Sequence, residues 1–281
     1  MLFETIIITI TILVLLLSSY SDLKTREIPD WLNYGFLFAV LGIRGIFSVI
    51  VDWHIIVSGF LGFILCFLIA VLFYYSNQWG GGDSKLLMGM GAAIGINLPL
   101  SLESFNLVIF FIGLLFLGAI YGVLWMGFLA IKKRETFVKE WKEKIKQQWI
   151  VHSIVMLLFV ATLIFTFFYP TIWPLMFFPP ALFYLFLFVN AVEDSCFLQR
   201  KKISDVTEGD WLAEEVVVGK EIIVTKRTIE KRHLQKLQKF YREKKLTSVL
   251  IKEGVPFVPS FLLGFIVLLI VKMYHIGLYF L

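Results

Sequence analysis

Few residues in this chain could do chemistry, and two of them occupy matching positions. Asp22 follows the first apolar run by one or two residues, and Asp83 opens the fourth, directly after Gly80-Gly81-Gly82. An ionisable side chain at the end of a membrane-crossing run is expensive to keep there, which makes it a functional candidate by default. Two such carboxylates at one boundary can do acid–base work on a substrate or ligate an ion; two unrelated acids in solvated loops are the structural alternative. The setting favours a site. A triple glycine costs conformational entropy and weakens a helix end, so the expectation is a loop in which the backbone bends and a substrate strand approaches Asp83. Downstream of Asp22, Pro29 stands where the second helix should start, a place that suits proline because its missing N–H would be unpaired there anyway. Asp30 follows it as a boundary acid. Glu4, Asp52 and Glu103 fall at the opposite boundary.

Other chemistries lack their signatures. The histidines, His54, His152, His233 and His275, are dispersed with no H-E-x-x-H, the two cysteines Cys66 and Cys196 form no C-x-x-C, and no G-x-S-x-G occurs. The reading is therefore no metal site and no cofactor.

These residues must be positioned by membrane helices. The chain has 281 residues, 59% of them hydrophobic and 17% charged, with a mean hydropathy of +0.84, against roughly 25% charged in soluble domains. That excludes a soluble enzyme, a disordered chain and a disulfide-stapled secreted domain. Apolar runs at residues 3–20, 31–50, 54–75, 84–98, 105–131, 149–169, 173–192 and 256–279 predict about eight transmembrane helices, with six to eight possible because the fourth is short and glycine-rich and the pair at 149–192 could re-enter. The first run carries Glu4 and has neither a basic start nor a small-residue cleavage site, so it reads as a retained helix. Gly91 with Gly95 and Gly118 with Gly122 have helix-packing spacing.

Lysine and arginine set the orientation, because short loops rich in them stay in the cytoplasm. If every run crosses once, all of them except Arg44 and Lys272 fall on one face, in loop 21–30, the turn at 76–85, the basic loop 132–148 and segment 193–254. Both termini then face outward, and Asp22 and Asp83 share the cytoplasmic boundary. The net charge of +5 accordingly marks the cytoplasmic side and not nucleic acid. Residues 1–192 form the expected catalytic bundle, 193–254 a small cytoplasmic α+β subdomain, and 255–281 the last transmembrane helix. Within the subdomain, 211–218 and 221–225 around Gly219-Lys220 predict a hairpin, and 229–245, preceded by Thr228, a basic helix. Its cations would meet anionic lipid headgroups.

At this point the residues resemble a family. Gly80-Gly81-Gly82-Asp83-Ser84-Lys85-Leu86 is similar to the G-x-G-D-x-K-L motif of the type IV prepilin peptidases, membrane aspartic proteases that share G-x-G-D with presenilin and signal peptide peptidase. Asp22 through Ile28-Pro29-Asp30 looks like that family's other aspartate with its downstream I-P-D or I-P-N. The runs 251–259 and 208–214 look most like the archaeal branch, which includes the preflagellin (prearchaellin) peptidases. The resemblance covers residues 10–100 and, more loosely, 205–265. The simplest archaeal relatives have six spans, so the pair at 149–192 is a departure.

The resemblance implies that Asp22 and Asp83 are the catalytic pair, with Gly80, Gly82, Pro29, Asp30 and Lys85 as motif or supporting residues. Two carboxylates sharing a site do not easily both ionise, so one would hold a proton while the other activates water. Lys85 would favour a nearby anion or snorkel toward the interface. The function implied is removal of short basic leader peptides from pilin-like or archaellin-like precursors, with membrane lipids as the other partner. The alternative is a transporter or channel using Asp22 and Asp83 as ion ligands. Against it stand the lack of an internal repeat and of an acid near mid-membrane.

Overall fold

The computed structural model describes residues 2–76, 78–99, 102–207, 209–218, 221–225 and 229–278. The chain forms two compact units, one of residues 1–122 with 255–281 and one of residues 123–254.

The first unit is helical. It holds α1 (Leu2–Thr25), α2 (Asp30–Ile50), α3 (His54–Tyr75), α4 (Gly81–Ile94), the first part of α5 (Asn106–Lys132) and, from the far end of the chain, α10 (Val258–Leu278). Leu15, Phe36, Leu86, Met90, Phe110 and Phe261 are buried where these helices meet. Large apolar side chains also point outward, among them Phe38 at 69% exposure and Phe116 at 66%. Water would make such faces costly, whereas lipid makes them the favourable surface. Among the described residues, six helices are long and apolar enough to cross a bilayer: α1, α2, α3, α5 and a pair in the second unit. The chain is a multi-pass membrane protein.

The fourth apolar run takes a form that its sequence did not predict. Instead of a helix over 84–98, α4 has 14 residues, which is about 21 Å of rise and short of a span. It starts earlier than expected because the Ser84 N–H donates to the Gly80 carbonyl at 3.1 Å. That bond closes a first turn through Gly81 and Gly82, so the triple glycine is mostly helix and Gly80 is its cap. A Cβ at Gly81 would lie 3.8 Å from Tyr74 near the end of α3. At the other end, the Ile96 N–H donates to the Ser58 carbonyl at 3.0 Å and the Ser58 hydroxyl to Asn97 Oδ1 at 3.0 Å near the start of α3. The short helix and its tail thus run antiparallel along most of α3.

Three glycines make this possible. Gly91 and Gly62 bring α4 and α3 so close that a Cβ on either would overlap the other's backbone. Gly95 ends the helix at φ +75°, a conformation glycine adopts without steric cost. Of the second pair read from sequence, Gly118 faces the Phe257 ring, with 2.7 Å between Phe257 Cε2 and a Cβ placed there, while Gly122 has open space.

The second unit contains the end of α5, then α6 (Arg134–Gln147), α7 (Trp149–Phe168), a 3-10 segment (Pro170–Phe177) and α8 (Phe178–Cys196). The basic segment expected as loop 132–148 is therefore helical. Its lysines and glutamates are good helix formers, and Glu140 and Lys144 pair across one turn. Lys144 also bonds Asp194 of α8 at 2.5 Å, which holds the lysine pKa above its usual range. Trp141 stacks on Tyr184 of α8.

A small mixed α and β part follows. Strands β1 (Leu198–Lys202), β5 (Ser248–Lys252) and β2 (Trp211–Leu212) form an antiparallel sheet in the order β1-β5-β2, and β3 (Val216–Val218) pairs with β4 (Glu221–Val224). The expected first strand of the hairpin is thus divided. Residues 211–212 pair with β5, where Leu212 is fully buried opposite Ile251, and only 216–218 continue as the hairpin strand. Helix α9 (Lys231–Arg242) starts at a capping box between Glu230 and His233 and buries Leu237. The expected turn Gly219-Lys220, Thr228 and Glu208 lie outside the described residues.

Candidate active site

Asp22 lies in the last turn of α1 and is 7% exposed, so it is not a solvated loop acid. Residues 18 and 19, one turn earlier, are buried with it. Its Oδ2 accepts the backbone N–H of Val258, the first residue of α10, at 3.0 Å. That N–H is one of those a helix start leaves unpaired, so the carboxylate caps α10.

Asp83 is the third residue of α4, half-buried, and bonds back to the Gly80 backbone N–H. Acids are favoured in a first helical turn because the N-terminal end of a helix is positive. Asp83 lies within Coulombic range of Asp22, although the two acids are 61 residues apart in the chain numbering. The Arg26 cation lies within the same range and favours the ionised form of Asp22, and the Tyr121 hydroxyl lies within range of the Asp22 charge.

The supporting residues divide into two groups. Around Asp83, a Cβ at Gly82 would contact Ile28 at 3.4 Å, and one at Gly80 would sit 3.6 Å from Asp83 Oδ2. Pro29 directly precedes α2 and its carbonyl accepts the N–H of Leu32 at 3.0 Å. Lys85 and Asp30 instead face each other. Lys85 Nζ donates to Asp30 Oδ1 at 2.6 Å and sits 5.2 Å from the centre of the Tyr34 ring. This pair ties α4 to α2; Asp30 is 66% exposed, so the bridge itself contributes about 0–1 kcal/mol.

The sequence reading missed three features here. The Val258 N–H could not be found from residue types, because any residue but proline supplies one. Asn33 of α2, 1% exposed, donates from Nδ2 to the Gly82 carbonyl at 3.3 Å, and its Oδ1 has no partner. The hydroxyls of Ser18, Ser19 and Ser84 are likewise buried without partners. Buried polar atoms are normally bonded, so the unspent groups beside the two aspartates are places for water or a substrate backbone. Among the described residues no cluster of three or more histidines, cysteines or acids could hold a metal.

The sequence profile of the type IV leader peptidase family matches residues 9–127, the stretch that carries both aspartates, the glycines and Asn33. Over this stretch the chain is similar to the type IV leader peptidase family. Among similar proteins, the preflagellin peptidase of Methanococcus maripaludis is 30% identical over 128 residues, 42% of this chain and 54% of the relative. The preflagellin peptidase of Methanocaldococcus jannaschii is 39% identical over 88 residues, 31% of this chain and 37% of the relative. That of Methanococcus voltae is 39% identical over 90 residues, covering 30% and 36%. The chain thus spans about half the length, or less, of the curated relatives it matches. No solved structure matches.

Proposed function

We propose that this protein is a membrane aspartic endopeptidase that removes short basic leader peptides from pilin-like or archaellin-like precursors at the cytoplasmic membrane boundary. The observation that supports this reading is a buried Asp22 at the end of α1 within Coulombic range of Asp83 in the first turn of α4, both inside the segment that matches a leader peptidase family. Hydrolysis needs a base and an acid at one carbonyl. The ionised carboxylate takes a proton from water as the water oxygen bonds to the scissile carbon. The protonated carboxyl donates to the carbonyl oxygen; as the C–N bond breaks, a proton passes to the departing amine. No cofactor enters the scheme.

The orientation belongs to the same proposal. The basic segments favour a cytoplasmic position for the Asp22 end of α1, where a basic leader would remain beside the anionic leaflet. Residues 128–281 lie outside the family match, and their cations suit contact with lipid headgroups. Incubating the purified protein with a precursor bearing a basic leader and an apolar helix tests the reading: a shortened product is expected, and an intact precursor together with ion flux in reconstituted vesicles would favour the transporter.

A further inference from the structure

A second polar site lies at the other end of the first unit. Glu4 and Asp22 are both on α1, and 18 residues of helix separate them by about 27 Å, close to the thickness of a bilayer core. Beside Glu4, a cavity of about 210 Å³ opens where the starts of α1 and α3 meet the ends of α2, α4 and α10. Its wall is apolar on one side, through Ile7, Ile8, Phe265, Leu268 and Leu269, and polar on the other, through Glu4, Arg44, His54, Asn97, Asn106 and Lys272.

Arg44 is the unusual member. It is 4% exposed, and a guanidinium has five N–H donors and is always charged. One nitrogen donates to the Ile55 carbonyl at 2.8 Å and another to the Ala93 carbonyl at 2.8 Å. The Nε–H has no partner. The Phe3 ring covers the group, 5.4 Å from ring centre to Cζ. Among the described residues no carboxylate pairs with it. The two described acids at this end have other partners: Glu4 faces Lys272 at 4.0 Å, and Asp52 holds His54 at 2.8 Å. The carbonyl end of α4 supplies about half a negative charge, which leaves the cation under-compensated. Buried charges are ordinarily paired.

We propose that this cavity binds a phosphate-bearing anion, the headgroup of a membrane lipid, with the phosphate near Arg44 and Lys272 and the first methylenes of the tails along the α10 wall. A lipid is the source that fits the whole site, because its headgroup matches the polar side and its chains the apolar side, at a depth where headgroups lie. Free phosphate shares the anionic chemistry but leaves the apolar wall unused. The site is separate from the two aspartates and requires no proteolysis.

The test uses the full-length protein in detergent, with binding read by native mass spectrometry and by the shift in thermal midpoint. The probes are dioctanoyl phosphatidylglycerol, dioctanoylglycerol and inorganic phosphate. The expected result is binding of the phospholipid at least about tenfold tighter than either of the other two, since only it offers both the charge-assisted bonds and the chains. Arg44→Gln should abolish that preference. Should that variant fail to fold, Leu269→Trp keeps Arg44 in place while filling the cavity, and is expected to weaken phospholipid binding by the same factor. Equal binding of phospholipid and dioctanoylglycerol would overturn the anion site, and equal binding of phospholipid and inorganic phosphate would overturn the lipid assignment. Phospholipid binding unchanged in Leu269→Trp would place the lipid elsewhere and also overturn it.

Discussion

Val258 donates its backbone N–H to Oδ2 of Asp22 at 3.0 Å, across 236 positions of chain. The bond makes one carboxylate both the cap of α10 and a member of the proposed catalytic pair, so the start of α10 sets where that carboxylate points. A backbone donor is removed only by proline, which a first helical position tolerates. Val258→Pro should therefore leave α10 intact and lower cleavage by about tenfold, the worth of a hydrogen bond to a charged group. Val258→Ala keeps the N–H and should remain within about twofold of the parent. Equal activity in the two variants, measured as initial rates on one precursor, would show that the bond does not orient Asp22.

The two aspartates should behave as one device. Asp22→Asn and Asp83→Asn are each expected to reduce cleavage by about a thousandfold or more, and the double variant hardly further, because residues acting as a unit are strongly non-additive. Asp30→Asn should be far milder, since Asp30 meets Lys85 and not the carboxyl pair. Correct membrane insertion of each variant has to be shown alongside the rates. A single Asp22 or Asp83 variant that still cuts substantially would end the assignment.

Asn33 holds the Gly82 carbonyl one residue before Asp83. Asn33→Leu preserves size while removing that bond, and a net hydrogen bond of about 1 kcal/mol corresponds to about fivefold in rate. The loss is expected in kcat if the bond positions Asp83. A loss confined to KM would mean instead that the unpartnered Oδ1 serves the substrate.

What could be read in the sequence here follows from the range of each interaction. Asp83 was found because its glycines are adjacent, and Asp22 because a charge at the end of an apolar run is costly wherever it occurs. The burial of Asp22 inside α1 depends on α10, and nothing near residue 22 announces it. The short fourth helix was misjudged because hydropathy is blind to the φ of Gly95. The pairing of α3 with α4 is instead written in Gly62, whose partner Gly91 lies on another helix. Strand β1, Leu198–Lys202, carries no β-branched residue and so gives no propensity signal; pairing with β5 creates it.

The orientation yields to thiol labelling. Cys66 and Cys196 are both buried, so the introduced cysteines dominate the reaction. Glu140→Cys and Glu230→Cys should react with an impermeant maleimide only after the cytoplasmic side is opened, whereas Val51→Cys, at a position 68% exposed, should react from outside. Reaction of Glu140→Cys or Glu230→Cys from outside would separate the basic segments from the cytoplasm and remove the basis for placing the aspartates there.

The position of the cut follows from where Asp22 and Asp83 sit. Both lie within a turn of a helix end, Asp22 at the close of α1 and Asp83 at the start of α4, so as the proposed catalytic pair they would reach only peptide bonds near one membrane boundary. A bond inside a substrate helix has its amide and carbonyl engaged four residues away and must be unwound before water can attack. The favoured bond should therefore lie just before the apolar helix of the precursor, with the polar and basic leader left at the boundary beside acids such as Glu27. Moving the junction about one helical turn into the apolar segment should suppress cleavage, while substitutions in the far half of that segment should have little effect. Mass spectrometry of the new N-terminus decides between outcomes: a cut in the middle of the apolar helix would mean that the aspartates work deep in the bilayer as presenilin-like proteases do, and a cut on the outer side would refute the orientation.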